Sequence, residues 1–254
     1  MRLKAILFDV DGTIADTERD GHRVAFNRAF SDFGLDWHWD IERYGKLLQI
    51  NGGKERIHYY IDHLASQNVA IHAINPLVDA LYAAKTNHYI KALASEAPAI
   101  PLRPGVYRII REAQSNGLKL AIATSSTFEN VAALLKTRLA EDALDWFDVI
   151  ATSDNISRKK PASDIYQYVL KNLKLPANEC IAIEDSEYGL ISSLGANLKT
   201  VVTVNDYTKT ESFNGALAVV SNLGEPHAPY EVFFGETFGR HFIEVDLLEI
   251  WAQQ

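Results

Sequence analysis

Two aspartates one residue apart, Asp9 and Asp11 in FDVDGTIADTE (8 to 18), close a short apolar run, and a glycine and a threonine follow at once. Carboxylates so placed can hold a metal, trade protons or attack an electrophile. Similar polar side chains recur at the ends of later apolar runs. Thr124, Ser125 and Ser126 follow LKLAIA, Lys160 lies in RKKPASDIY, and Glu184 and Asp185 end CIAIED. Singly each is bland: a carboxylate after a strand often caps a helix, a loop lysine is usually solvated, and TSST before a helix reads as an N-cap region. Recurring at successive strand ends, with DxDGT intact, they read as one constellation of carboxylates, hydroxyls and an ammonium.

That set of groups suits phosphoryl transfer. Mg²⁺ takes oxygen ligands in an octahedron, commonly one or two carboxylates with waters and a phosphate. Asp9, Asp185 and a backbone carbonyl such as that of Asp11 would supply it, with Glu184 close by. With the repulsion between carboxylate and phosphate dianion offset, an aspartate can attack phosphorus and form an aspartyl-phosphate. The Lys160 ammonium and the Thr124 hydroxyl would hold the remaining phosphoryl oxygens. Asp11, past the turn that Gly12 permits, is placed to give a proton to the leaving alkoxide and later take one from water.

The elements that must position these groups are legible as short apolar strands alternating with amphipathic helices. The runs are LKAILF (3 to 8), LKLAIAT (118 to 124), FDVIAT (147 to 152), CIAIED (180 to 185), KTVVTV (199 to 204) and ALAVV (216 to 220). Near-continuous apolar strands of this kind argue for an α/β fold: a Rossmann-like, doubly wound parallel sheet covered on both faces, with ligand beyond the carboxyl ends of its strands. Over a hundred residues separate the first two runs, and they carry helical patterns such as ERIHYYIDHLA, with Ile57, Tyr60, Ile61 and Leu64 on one face. An inserted helical domain is the economical explanation. The expected division is a catalytic core of 1–15 and 97–254 and a helical cap of 16–96, the chain returning through EAPAIPLRPG (96 to 105). Pro161 is expected to start the helix after Lys160. The tail passes through a loop rich in Gly and Pro to FIEVDLLEIWAQQ, where Ile243, Leu247, Ile250 and Trp251 share a helical face expected to pack on the core.

The 254 residues suit one large core plus a smaller unit, and 47% of them are hydrophobic. A formal net charge of −8 lacks the basic field that would draw nucleic acid or an anionic membrane. The one cysteine, Cys180, permits no internal disulfide and reads as a small core residue in a strand. No run approaches a membrane span and none resembles a cleaved leader. The expectation is a monomeric cytoplasmic protein acting on a small phosphorylated molecule.

DxDGT, a hydroxyl after the second strand, Lys-Pro after the third and Glu-Asp after the fourth resemble the ordered motifs of the haloacid dehalogenase superfamily, over nearly the whole chain. The resemblance implies that Asp9 is the nucleophile, Asp11 the acid and base, Thr124 and Lys160 phosphate anchors, and Asp185 a magnesium ligand with Glu184 beside it. The insert after the first motif looks like the cap of the branch that includes β-phosphoglucomutase. Within it, DTERDGHRVAFN (16 to 27), WDIERYGKLLQINGGKERI (39 to 57) and AAKT (83 to 86) resemble the CbbY-type phosphatases. In that group the implied reaction is removal of the 1-phosphate of xylulose 1,5-bisphosphate, an inhibitory by-product of Rubisco. A bisphosphate needs cations for its second phosphate, and Lys54, Arg56 and Lys85 can supply them. In the same GGKER run, Gly52 and Gly53 would let backbone N–H groups approach that phosphate, with Glu55 beside them. Glu18 would accept from sugar hydroxyls, and Ser125, Ser126, Thr127 and Asn130 are expected on the core side of the cleft. Ser163 replaces the second proline usual after Lys-Pro. Tyr44 and His22 are read equally well as packing residues.

Three rival readings follow from the same residues. A sugar phosphomutase or a broader sugar-phosphate or phosphoglycolate phosphatase shares every core motif. A response-regulator receiver also uses carboxylates, a hydroxyl, a lysine and Mg²⁺, but it carries its aspartyl-phosphate on a later strand of a domain about half as long. A binding protein on a silenced scaffold ranks last, because the whole catalytic set is present.

Overall fold

The protein is described by a computed structural model covering residues 2–63, 74–94 and 100–254. Leu64, and the first part of the return segment at 95–99 with the expected boundary at 96/97, lie outside the described residues. The chain divides into two compact units, Met1–Asp16 with Pro101–Gln254, and Thr17–Ile100.

Among the described residues seven strands form one sheet: β1 Ala5–Phe8, β2 Lys119–Ala123, β3 Val149–Ala151, β4 Cys180–Glu184, β5 Lys199–Thr203, β6 Ala218–Val220 and β7 Val232–Phe234. Their order is β3-β2-β1-β4-β5-β6-β7, parallel throughout except for the β6–β7 pair. The winding reverses beside β1, whose neighbours are β2 and β4. Phe8 stands level with Ile122 and Ile183. The residues just past these positions therefore emerge together at one end of the sheet. β1 and β4 are buried at every position, as strands covered on both faces must be.

The helices are α1 Arg23–Asp32, α2 Ile41–Leu47, α3 Gly53–His63 and α4 Ile74–Leu93 in the inserted unit, then α5 Val106–Ser115, α6 Phe128–Arg138, α7 Asp164–Leu173, α8 Glu187–Gly195 and α9 Val245–Gln253 in the sheet unit. α5 buries Val106, Ile109, Ile110 and Ala113, the i, i+3, i+4, i+7 stripe of a helix lying on a sheet. In the inserted unit, rings substitute for a sheet as the core. Trp39 has ring centroids of Phe26 and Phe30 at 4.8 Å and Tyr60 at 5.4 Å, mostly in the tilted and edge-on arrangements that aromatic quadrupoles favour.

Three details differ from the expectations. Pro161 does not open α7: the helix begins at Asp164 with Ser163 at its N-cap position. β7 was not foreseen, because all three of its residues are exposed and a bulged, one-sided edge lacks the apolar alternation that announces a strand. In the tail, α9 starts at Val245, so Ile243 lies outside it though fully buried. Leu247, Leu248 and Trp251 are buried while Ile250 is only half-buried, so the packing expected of this face falls on Leu248 rather than Ile250.

Candidate active site

At the carboxyl end of β1 the chain turns sharply. Ile14 N–H donates to the Val10 carbonyl at 2.9 Å, and Gly12 N–H to Ala15 at 2.9 Å. Gly12 adopts φ of 90°, a region costly for any residue with a Cβ. A Cβ there would also collide with the Asp185 carboxylate. The glycine of DxDGT thus makes the turn and admits Asp185 to it.

Asp9, Glu184 and Asp185 are buried, and one carboxylate oxygen from each lies within 4.8 Å of the others. Lys160 Nζ donates to Asp9 Oδ1 at 2.6 Å and to Glu184 Oε1 at 2.7 Å. The Tyr166 hydroxyl, from the buried face of α7, donates to the same Glu184 oxygen. Asp185 Oδ2 accepts from Asn205 Nδ2 at 2.7 Å. One ammonium bonded to two of three buried carboxylates leaves the cluster acidic, and its hard oxygen donors fit a small divalent cation. Such a cluster can hold a metal ion.

Burial pushes the Asp9 carboxyl up to about 7; Lys160 pulls it back while Glu184 and Asp11 add repulsion. Asp185 is raised well above the carboxylate range by burial and by Asp9 and Glu184, against the pull of Arg103 and Lys160. Burial disfavours the Lys160 ammonium, but the two carboxylates outweigh it and raise its pKa. A buried lysine held charged between carboxylates, beside an aspartate whose proton is balanced near neutrality, is a typical perturbed functional cluster.

The other core positions gather around α6. Thr124 is buried, its hydroxyl accepting from Ser126 N–H at 3.1 Å. Ser125 Oγ, Thr127 Oγ1 and both amide atoms of Asn130 are buried with no hydrogen-bond partner among the described residues, an uncommon state for polar atoms. Asp11 is half-buried just past Asp9.

In the inserted unit, Glu18 opens a π-helical turn, Glu18–His22, and accepts from the buried Tyr44 hydroxyl. Arg56 is buried too, its Nε on the Leu47 carbonyl at 3.0 Å and Nη1 on Tyr44 Oη at 2.9 Å. Arg56, Tyr44 and Glu18 form one chain of hydrogen bonds. Lys85 is 3% exposed, its ammonium 5.2 Å from the Phe26 and Tyr89 ring centroids and 5.5 Å from Tyr82, a cation–π cage. Lys54 is exposed and paired with Asp79 at 2.5 Å, and Glu55 is exposed in the first turn of α3. Gly52 is buried, its carbonyl accepting from Arg56 N–H at 3.0 Å. A Cβ on Gly53 would strike the Tyr82 ring, so helix packing alone requires glycine there. The His22 and Tyr89 rings meet at a tilt, with centroids 4.1 Å apart.

The haloacid dehalogenase-like hydrolase family matches residues 6–203, from β1 through β5. The CbbY protein of Cupriavidus necator is 44% identical over 227 residues, 89% of this chain and 88% of that one. The chain belongs to the haloacid dehalogenase-like hydrolases. It falls in the CbbY group of that family and is a phosphatase by class. The crystal structure of CbbY from Rhodobacter sphaeroides in complex with phosphate matches with a TM-score of 0.80 and 40% identity, over 87% of this chain and 94% of that one. A mutant of the same protein, in complex with xylulose-(1,5)bisphosphate, matches equally well. A β-phosphoglucomutase from Clostridium difficile, 23% identical with a TM-score of 0.67 over 87% of this chain and 91% of that one, shares the fold.

Three groups not singled out in the sequence bear on the cluster: Tyr166 and Asn205 by hydrogen bonds, Arg103 by its charge. Tyr166 had a readable signal, a tyrosine on the buried stripe of α7 whose hydroxyl must find a partner. Asn205 and Arg103 lie in loops, where no periodicity marks an inward-facing residue.

Proposed function

We propose that the protein hydrolyses the 1-phosphate of xylulose 1,5-bisphosphate, releasing xylulose 5-phosphate and inorganic phosphate through an aspartyl-phosphate. The observation that carries the reading is the bisphosphate complex of the 40% identical CbbY, joined to the buried Asp9–Lys160–Glu184–Asp185 cluster of this chain. The sheet unit is the catalytic core and the inserted helical unit its cap. Asp9, Asp185 and the Asp11 carbonyl would hold Mg²⁺, with Glu184 beside them. When bound, the ion offsets the repulsion between a carboxylate and an incoming phosphate dianion.

Asp9 attacks phosphorus, and the bond to the C1 oxygen breaks. Asp11 protonates the departing alkoxide, then takes a proton from the water that cleaves the acyl phosphate. Lys160 favours the ionised form of Asp9 against its burial and, with a hydrogen bond from Thr124, stabilises charge on the transferring oxygens. The unpartnered Ser125, Thr127 and Asn130 atoms, with Ser126, are assigned to substrate polar groups. In the cap, Glu18 recognises sugar hydroxyls, while Lys54, Arg56 and Lys85 with Gly52, Gly53 and Glu55 form the recognition set for the second phosphate. Arg56 also has the task of orienting Tyr44 against Glu18.

The test compares kcat/KM for xylulose 1,5-bisphosphate, β-glucose 1-phosphate and phosphoglycolate in Mg²⁺. The proposal expects the bisphosphate to be preferred by at least about 100-fold, or roughly 2.7 kcal/mol of transition-state discrimination. Equal rates on all three, or transfer of phosphate to a sugar instead of water, would reject it.

A further inference from the structure

The LRPG run that brings the chain back to the sheet unit carries a buried cation. The Arg103 side chain is 5% exposed. Nη1 donates to the Gly12 carbonyl and to that of Thr203 at 3.3 Å, while Nη2 donates to Val204 O at 2.7 Å and Ser221 O at 2.6 Å. Its own N–H donates to Ile14 O at 2.9 Å. The nearest carboxylate with which it pairs, Asp16, stands 3.7 Å from Nη1 and is half exposed. Burying a guanidinium costs several kcal/mol unless its donors are met, and here main-chain carbonyls from three segments meet them.

Two of those carbonyls belong to segments that meet Asp185. Gly12 is packed so closely against the Asp185 carboxylate that a Cβ would collide with it and come 2.7 Å from Asn205 Nδ2. Val204 immediately precedes Asn205, which donates to Asp185 Oδ2 at 2.7 Å. Asn205 is itself fixed, with Oδ1 accepting from Tyr207 N–H at 2.9 Å and its N–H on Thr208 Oγ1 at 3.0 Å. Arg103 therefore grips the turn on one side of the carboxylate and, on the other, the residue that aims its hydrogen-bond donor. The guanidinium charge also opposes the burial that disfavours the ionised Asp185.

We propose that Arg103 is a positioning residue, which sets Asp185 in place for cation binding by holding the Gly12 and Val204 carbonyls. This rests on the reading of Asp185 as a Mg²⁺ ligand. Groups that orient a metal ligand are worth about 10- to 100-fold in affinity, which sets the size of the expected effect.

The experiment titrates Mg²⁺ alone into the full chain by calorimetry, for the wild type, Arg103→Met and Arg103→Lys. Urea unfolding and kcat and KM at varied Mg²⁺ accompany it. Arg103→Met is expected to weaken Mg²⁺ by at least about 10-fold and to lower kcat at limiting Mg²⁺, with KM for substrate little changed. Added Mg²⁺ restores kcat. Arg103→Lys, which keeps the charge but reaches fewer carbonyls, falls between the two. If Arg103→Met does not fold, the lysine variant decides. Mg²⁺ affinity within about twofold of the wild type, alongside a lowered unfolding midpoint, makes Arg103 a structural strut and overturns the proposal. A wild type that turns over substrate but binds no Mg²⁺ overturns the metal reading and this proposal with it, and so is told apart from a failure of Arg103 alone.

Discussion

Lys160 is shared by two carboxylates, and the sharing separates their tasks. Glu184 Oε1 receives both Lys160 and the Tyr166 hydroxyl, so that oxygen is committed to holding the lysine. Asp9 receives Lys160 on Oδ1 and emerges at the turn with Asp11. Asp9→Asn preserves shape and removes the attacking charge. It is expected to cut turnover by at least about 10³-fold with an unchanged circular dichroism spectrum, and near-normal turnover would refute the nucleophile assignment. Tyr166→Phe takes one of two donors from a buried carboxylate oxygen. The loss of about 1–2 kcal/mol lowers Tm by about 2–8 °C, and a melting curve superimposable on the wild type would show that the bond contributes nothing.

At the scale of elements, α9 ties the end of the chain to the sheet unit. Trp251 is fully buried with Nε1 on the Glu236 carbonyl at 2.8 Å, Lys199 Nζ caps the helix end at Ala252 O at 2.7 Å, and Glu112 meets the Val245 N–H at 2.9 Å. Trp251→Ala is expected to cost about 3–5 kcal/mol, read as a lower urea midpoint with a similar slope; a loss under about 1 kcal/mol would mean that α9 is not part of the cooperative core. The six parallel strands were legible because burial on both faces writes continuous apolar runs, and register then delivers Asp9, Thr124 and Asp185 to one sheet end. β7 was illegible because its partner strand rather than its own pattern defines it. The roles of Arg103 and Asn205 were hidden for a related reason. Their partners are main-chain carbonyls or residues far away in sequence, as with Arg103 and Ser221, and no local spacing encodes such pairings. Gly53 has a second reason to be glycine that local spacing does not show: Tyr82 leaves no room for a side chain there.

For the whole molecule, the balance of charge matters more than its total. The chain carries 33 Asp and Glu against 25 Lys and Arg, and three of its carboxylates are concentrated in one buried cluster. A cation bound there stabilises the native state by mass action, by about 2.7 kcal/mol at 100 times Kd. Tm is therefore expected to rise by about 5–10 °C with Mg²⁺ and to fall again with a chelator. A melting temperature indifferent to both would argue against a metal at Asp9 and Asp185. Among the described residues no helix is long and apolar enough to cross a membrane.

The most direct test of the central claim is to catch the covalent intermediate. The enzyme is mixed with xylulose 1,5-bisphosphate and Mg²⁺, quenched in acid within the first turnover, reduced with borohydride and mapped by mass spectrometry. An acyl phosphate at Asp9 is converted to homoserine at that position, and the account predicts this conversion there, with none at Asp11 and none when substrate is omitted. Full release of phosphate with Asp9 unmodified at every time point, or conversion at another carboxylate, would contradict it.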